Sequence, residues 1–316
     1  MERSLSLPKS AYISHPSSLQ HEMGAHHPEC PDRVAAIADR LVMRGVLDLM
    51  DPFEAPRASP EQISRAHDAR HLLELQALSP TSGYATVDPD TAMNPATFEA
   101  ALHAAGAVVL ATELVLEGGY KRAFCNVRPP GHHAGRAAAS GFCFFNNVTI
   151  GIRHALDVMG LERVALIDFD VHHGNGSEEI VAGDERVLMV STFQTQLYPF
   201  SGERPSAANL CNVALAPYGD GVPLRAAVDE QWLPVLRAFA PQMIFVSAGF
   251  DAHREDEMSH LQWRDEDYDW LTRRIVAFAD SHCDGRIVSS LEGGYHLGAL
   301  ARCAELHVRA LIGMDG

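Results

Sequence analysis

Val164-Ala-Leu-Ile-Asp-Phe-Asp-Val-His-His-Gly-Asn-Gly176 decides the reading of this chain. The segment opens as an unbroken aliphatic run and closes on carboxylates, paired imidazoles and glycines. A strand covered on both faces has that apolar front. The carboxyl end of such a strand is where open α/β sheets gather their ligands. The strand is expected over Arg163–Asp170, and four more runs share its character: Ala123–Val127, Arg186–Thr192, Met243–Ala248 and Arg286–Leu291. Helical patterns lie between or beside them at Pro95–Glu117, Asn146–Met159, Pro223–Phe239, Asp265–Asp280 and Leu297–Ile312. The alternation predicts right-handed βαβ units and a three-layer α/β fold with a central, mainly parallel sheet. No internal repeat and no Pro-, Gly- or Ser-rich linker interrupts it, so one domain over 1–316 is expected. The longest irregular stretch, Ser79–Asn94, holds Pro80, Gly83 and Pro89. A loop that long inside a compact domain is more often functional than idle.

Composition narrows the classes. The 316 residues are 47% hydrophobic and 21% charged, which suits a folded soluble protein and excludes a disordered one. Forty-one acidic against 25 basic residues give a formal charge of −16, the wrong sign for gripping nucleic acid. Met1–Ser10 lacks the apolar core of a signal peptide. Ala100–Leu116 is broken by His103, Thr112 and Glu113 and reads as a buried helix, not a membrane span. The six cysteines form no Cys-x-x-Cys pair and read as buried thiols of a reducing cytoplasm. Two lysines, Lys9 and Lys121, against 23 arginines suit a GC-rich bacterial genome.

The chemistry sits at the strand ends. Asp168, Asp170 and His172 are spaced by two, and on an extended segment alternate residues share a side. After Ala123–Val127 comes Arg128-Pro-Pro-Gly-His-His-Ala134; after Met243–Ala248, Gly249-Phe-Asp-Ala-His253; after Arg286–Leu291, Glu292-Gly-Gly-Tyr295. A buried carboxylate pair repels itself unless a cation or a proton intervenes. Asp170, His172 and Asp251 therefore form an Asp2His set for a divalent metal, with one position open to water, as catalytic zinc sites have. Two carboxylates neutralise the ion, so it acidifies water less than it would among three histidines. A separate general base becomes useful, and the His132–His133 pair can supply it. Tyr295 can donate its hydroxyl to a carbonyl oxygen. Together these parts describe hydrolysis of an amide.

Each part also has a plain structural explanation. A single Asp at a strand end is usually a turn or helix-cap residue, and adjacent histidines occur by chance. His173 should face away from His172 and act structurally. His21, His26, His27, His67 and His71 read as surface or packing residues, and Gly131, Gly174 and Gly176 as suppliers of unusual backbone angles. The catalytic reading gains force because all the parts fall in order along one sheet edge.

With those residues in view, the sequence resembles the histone deacetylase superfamily, which includes acetylpolyamine amidohydrolases and acetoin-utilisation proteins. The resemblance begins at His27-Pro-Glu-Cys-Pro-Asp-Arg33 and Asp88-Pro-Asp-Thr91. It continues through the Pro-Pro-Gly-His-His motif, Gly141-Phe-Cys-Phe-Phe-Asn-Asn147, Asp168–Gly176, Ala248–His253 and Glu292–Tyr295. The Pro-Pro-Gly-His-His form and Asn175 resemble the class II-type branch. The fold so implied is the arginase/deacetylase-like three-layer sandwich. By the same resemblance, a single zinc ion (Zn2+) would be held by Asp170, His172 and Asp251. A structural potassium ion (K+) would be held by Asp168, Asp170, His172, Ser191 and Thr192. His133 would be the general base and then the acid that protonates the leaving amine. His132, bonded to Asp168, would be its electrostatic partner. Asn175, where many relatives carry Asp, would orient His133 and leave it less basic. Tyr295 would bind the polarised carbonyl. Some relatives have His at that position and are nearly inactive on acetyl-lysine, so the Tyr implies an active deacetylase.

The resemblance also implies a narrow substrate tunnel walled by Gly141, Phe142 and Tyr198. Asp90 would sit on its rim, and Met258, Gly293 and Gly294 belong to the same substrate-binding set. Departures fall at the mouth, with Phe193 and Phe200 standing where the pattern is usually otherwise. Polyamine-selective relatives carry Glu at the position of Met258; the apolar side chain favours a lysine-type or plain acylated amine. Glu255, Asp256 and Glu257 keep a polyamine open. The expectation is a zinc-dependent deacetylase that cleaves the amide of acetyl-lysine, or a related acylated amine, to free amine and acetate. It would be cytoplasmic and act without nucleic acid or membrane, and a homo-oligomer is allowed. The alternatives are an acetylpolyamine amidohydrolase, an arginase-like hydrolase with two manganese ions in which His253 would serve as a ligand, and a non-catalytic, metal-stabilised binding protein.

Overall fold

A computed structural model of the chain describes residues 7–314. Met1 to Ser6 of the segment read above for a signal peptide, and the last two residues of the expected domain, lie outside the described residues. The strands are β1 (Ser10–Ser14), β2 (Asp51–Glu54), β3 (Ala85–Asp88), β4 (Thr91–Met93), β5 (Arg122–Cys125), β6 (Val164–Asp168), β7 (Val187–Gln194), β8 (Leu210–Leu215), β9 (Ile244–Ala248) and β10 (Ile287–Leu291). Eight of them form one sheet in the order β2-β1-β5-β10-β9-β6-β7-β8, every pair parallel. β3 and β4 form a separate antiparallel hairpin, which occupies much of the stretch expected to be irregular.

The helices are α1 (Asp32–Met43), α2 (Pro60–Ile63), α3 (Ala69–Leu78), α4 (Thr97–Leu116), α5 (Asn147–Asp157), α6 (Asn175–Val181), α7 (Gly221–Ala226), α8 (Leu233–Phe239), α9 (Asp265–His282) and α10 (Leu297–Leu311). Central strands send alternate residues to opposite faces. Leu166, Met189 and Phe245 join α4 and α5 on one side. Ile167, Val190 and Val246 join α1, α8, α9 and α10 on the other. Both faces are dry, which is why the strands read as continuous apolar runs. Each fully buried Val or Leu contributes about 1.5–3 kcal/mol relative to an exposed one. α4 is long and apolar enough to cross a membrane, but 67% of its most apolar window is buried inside the protein, so it is a core helix.

Two expectations change in detail. Pro223–Phe239 is not one helix: α7 and α8 flank a π-helical stretch, Ala227–Trp232. Pro234 has no N–H to give an α-helical ladder and its ring crowds the preceding turn, so the wider winding relieves it. The sheet also has three strands beyond those expected. β2 and β8 are its edges, short and partly polar, as edge strands tend to be.

Candidate active site

The four motif-bearing strands, β5, β10, β9 and β6, are neighbours in that order. Being parallel, they deliver Arg128–Ala134, Glu292–Tyr295, Asp251 and Asp168–His172 to one edge of the sheet. β6 ends at Asp168, however, so Asp170 and His172 are not on an extended strand as their spacing suggested. A stepped loop brings them together instead. Asp168 Oδ1 accepts from the Asp170 amide (3.1 Å), and Asp170 Oδ1 accepts from the His172 amide (2.9 Å). Local side-chain-to-backbone bonds of this kind are what Asp offers where a strand stops.

Asp170, His172 and Asp251 are buried, with one potential ligand atom from each inside a 4.8 Å cluster. His172 Nδ1 lies 3.1 Å from Asp170 Oδ1 and 3.3 Å from Asp251 Oδ2. Backbone amides hold the outer oxygens: Gly293 donates to Asp170 Oδ2 (2.8 Å) and Val171 to Asp251 Oδ1 (3.0 Å). A Cβ on Gly293 would stand 2.0 Å from Asp251 Oδ2, so only glycine fits there. Asp251 Oδ2 accepts no hydrogen bond. Burial and the Asp170 charge push the Asp251 carboxyl up to about 6. Burial opposes a charge on His172, but the Asp170 and Asp251 carboxylates beside it outweigh that and raise the imidazole to about 9. The cluster therefore calls for positive charge, and two carboxylates, one with an orphaned oxygen, beside an imidazole nitrogen fit a divalent cation.

The His132 and His133 rings lie 4.0 Å apart between centres, tilted at 45° to each other. His132 Nδ1 is 3.1 Å from Asp168 Oδ2. Burial works against its charge, but Asp170 and Asp168 raise it to about 10. His133 Nδ1 is 2.7 Å from Asn175 Oδ1. An amide oxygen only accepts, so Nδ1 carries the proton and Nε2 is left as a base. Burial, then the neighbouring His132 and His172 charges, hold His133 well below the ordinary imidazole range. The Asn175 bond acts the other way without reversing them.

A cavity of about 120 Å³ opens onto these groups. His133, His172 and Tyr295 line its inner end, and Gly141, Phe142, Tyr198, Met258 and Asp90 the rest. Phe142 stands edge-on to Tyr295 (5.9 Å) and Tyr198 edge-on to His133 (5.0 Å). Gly293 and Gly294 do not line it. Gly293 serves the carboxylate cluster, and the Gly294 carbonyl accepts from Arg33 Nε at 2.7 Å. Phe200 is exposed beyond Tyr198, whereas Phe193 is buried against His173, 4.8 Å between ring centres. Asp168 pairs in register with Ser191, and the buried Thr192 Oγ1 has no hydrogen-bond partner.

Other residues expected to be structural are so placed. His21, His67 and His71 are buried, and His173 bonds Ser201 and Glu178. His253 turns its Nε2 to Asp265 (2.9 Å), away from the Asp170 cluster, which leaves the two-manganese arrangement without the ligand it needed. His253, Asp265 and Cys303 form a second close group, but Arg302 neutralises Asp265 through bonds of 2.8 and 3.4 Å. Three further residues support the site, two of them inside motifs quoted above without a role of their own. Arg33 lies over the Tyr295 ring, 4.8 Å from its centre. Glu292 Oε2 accepts from the Gly131 and His132 amides at 2.6 and 3.1 Å. Asp256, expected among the acids of the mouth, is buried and turned inward, while Glu255 pairs with Arg302 at 3.0 Å. Their partners are far apart in sequence, so no spacing could announce them.

Similarity to known proteins extends over nearly the whole chain. The histone deacetylase domain family matches residues 27–311. A probable deacetylase of Archaeoglobus fulgidus is 36% identical over 96% of this chain and 86% of its own length. A histone deacetylase-like amidohydrolase of Pseudomonas aeruginosa is 34% identical over 98% of this chain and 82% of its own. Polyamine deacetylase HDAC10 of Mus musculus is 34% identical over 90% of this chain, which spans 45% of that protein. The chain spans only 21% of type-2 histone deacetylase 2 of Dictyostelium discoideum. The crystal structure of an HDA15 HD domain superposes with a TM-score of 0.90 at 31% identity, over 97% of this chain and 89% of that one.

Proposed function

Because the chain belongs to the histone deacetylase family, we propose that it is a single-domain, zinc-dependent amidohydrolase that deacetylates acetyl-lysine or a related acylated amine. The observation that carries this reading is the buried Asp170–His172–Asp251 cluster opening into a narrow cavity beside an unprotonated His133 Nε2. The three cluster residues would hold the zinc. When bound, it supplies Lewis acidity at the acyl carbonyl and acidifies water at the reacting carbon.

The protein's own groups do the rest. Tyr295 donates its hydroxyl to the carbonyl oxygen and to the charge that develops on it. His133 Nε2 takes a proton from the attacking water and returns it to the leaving amine, so acetate and free amine depart. Asn175 fixes the tautomer that makes this possible, and the His132–Asp168 pair sets the charge behind it. Phe142, Tyr198 and Met258 give the cavity apolar walls suited to the methylenes of a lysine side chain, and Asp90 lies at the rim. Asp168, Asp170, His172, Ser191 and Thr192 would hold a potassium ion behind the site. All six cysteines are free thiols, which supports a cytoplasmic setting. Likeness to a polyamine deacetylase keeps acetylpolyamines as a second substrate class.

The test is turnover of an acetyl-lysine peptide and of acetylputrescine by the purified protein, with metal analysis, alongside Tyr295→Phe. Loss of one oxyanion donor lowers kcat by ~10²–10³. The reading requires that loss with zinc retained; no turnover of any acylated amine by the zinc-loaded wild type would sink it.

A further inference from the structure

Asp256 is 5% exposed, and its carboxylate carries three backbone amides. Oδ2 accepts from Tyr295 N (2.6 Å) and His296 N (3.0 Å), and Oδ1 accepts from Met258 N (3.0 Å). Tyr295 and Met258 line the same cavity from different loops, one after β10 and the other after β9. No other side chain is bonded to both loops' cavity-lining residues in this way among the described residues.

We infer that Asp256 is a positioning residue that sets where the Tyr295 hydroxyl stands relative to the cavity wall at Met258. The inference rests on the proposed amidohydrolase reading. Its physical basis is that a buried carboxylate accepting several amides fixes the backbone bearing them, since each unmet buried amide costs free energy. The Tyr295 ring has other contacts, over Arg33 and edge-on to Phe142, but neither of them ties its backbone to the loop of Met258. Gly294, just before it, has φ +115°, a backbone conformation that glycine adopts without strain.

Asp256→Asn keeps size and shape but turns one acceptor oxygen into an NH2 that faces amide donors. Misplacement of a reacting group by about 1 Å can cost ~10²-fold. On an acetyl-lysine peptide, the variant is expected to lose ~10–100-fold in kcat while KM changes by less than ~3-fold and zinc stays at the wild-type level. In the Tyr295→Phe background the same change should lower kcat by no more than about 2-fold, because the group it positions is already gone. Wild-type kcat in the Asn variant, or a full additional loss on top of Tyr295→Phe, overturns the inference. Should Asp256→Asn fail to fold, hydrogen exchange on the wild-type holoenzyme decides: slow exchange at Met258, Tyr295 and His296 supports it, and exchange at the rate of an exposed loop overturns it. An inactive wild type would instead remove the amidohydrolase reading, and exchange at the same three amides would still test the tether.

Discussion

Asp251 Oδ2 lies 3.3 Å from His172 Nδ1 and accepts no hydrogen bond, although the residue is fully buried. An acceptor left in that state costs roughly 1–3 kcal/mol, and more when charged, unless something positive meets it.

That vacancy in bonding predicts the effect of Asp251→Asn. The variant should bind zinc more weakly by well over the ~10–100-fold that loss of an outer hydrogen-bond partner costs. Metal analysis after dialysis should fall from one equivalent to a small fraction. Chelated wild type should melt at a lower temperature, and zinc restored to ~100 times its Kd should return about 2.7 kcal/mol of stability. Full zinc in the dialysed variant would remove Asp251 from the ligand set.

Gly141 has φ +54°, and a Cβ there would lie 2.5 Å from His133 Cδ2. Gly141→Ala should therefore disturb the base as well as the backbone. The left-handed conformation costs about 1–2 kcal/mol for a residue with a side chain. Chemical denaturation should show that loss, and kcat should fall with it. A variant as stable and active as wild type would mean the loop relaxes freely.

Arg128 spans both oxygens of Glu29, with Nη2 to Oε2 at 2.5 Å, and both residues are completely buried. Burial disfavours the Glu29 charge, but Arg128 and His21 outweigh it and hold the carboxyl well below its usual range. Arg128→Met leaves that carboxylate with Arg33 and the His21 imidazole as its remaining partners. Breaking a buried pair from one side costs ~3–5 kcal/mol. Urea unfolding should show a loss of that order; a change under ~1 kcal/mol would mean the pair contributes only what an exposed one does.

His307 is enclosed between Thr272 and Ser289, each 2.8 Å from a ring nitrogen. Burial pushes its pKa down to about 3, against 6.5 for the free imidazole. The unfolded chain therefore binds the extra proton first. Stability from this group is fully present above about pH 6.5 and is lost as pH falls toward 3, by about 1.4 kcal/mol per unit. His307→Gln should flatten the stability curve by about that slope between pH 6 and 4. Identical slopes in the two proteins would show that His307 takes up its proton without unfolding.

The sequence made the centre of this molecule readable and its margins less so. β5, β6, β7, β9 and β10 are covered on both faces, and that environment admits little but aliphatic residues. β1 and β2 are Ser10-Ala-Tyr-Ile-Ser14 and Asp51-Pro-Phe-Glu54, short and half polar because they approach or form the sheet edge. The residues set in motifs are found together at one end of the sheet, yet the argument from alternating side chains holds only as far as Asp168. Beyond it the chain turns, and bonds between carboxylates and neighbouring amides do the converging. Asp256 is a different case. Its partners include amides 39 and 40 positions away, and a bond to a backbone N–H leaves no imprint on the identity of the residue that donates it.

β10 runs between β5 and β9, so the last strand in chain order fills the middle of the sheet. A nascent chain that ends before Ile287 has two facing strand edges with nothing between them, and Asp170 Oδ2 has no Gly293 amide to meet. A fragment that stops short of β10 therefore leaves the sheet split in two and the carboxylate cluster untied, however many of the earlier motifs it carries.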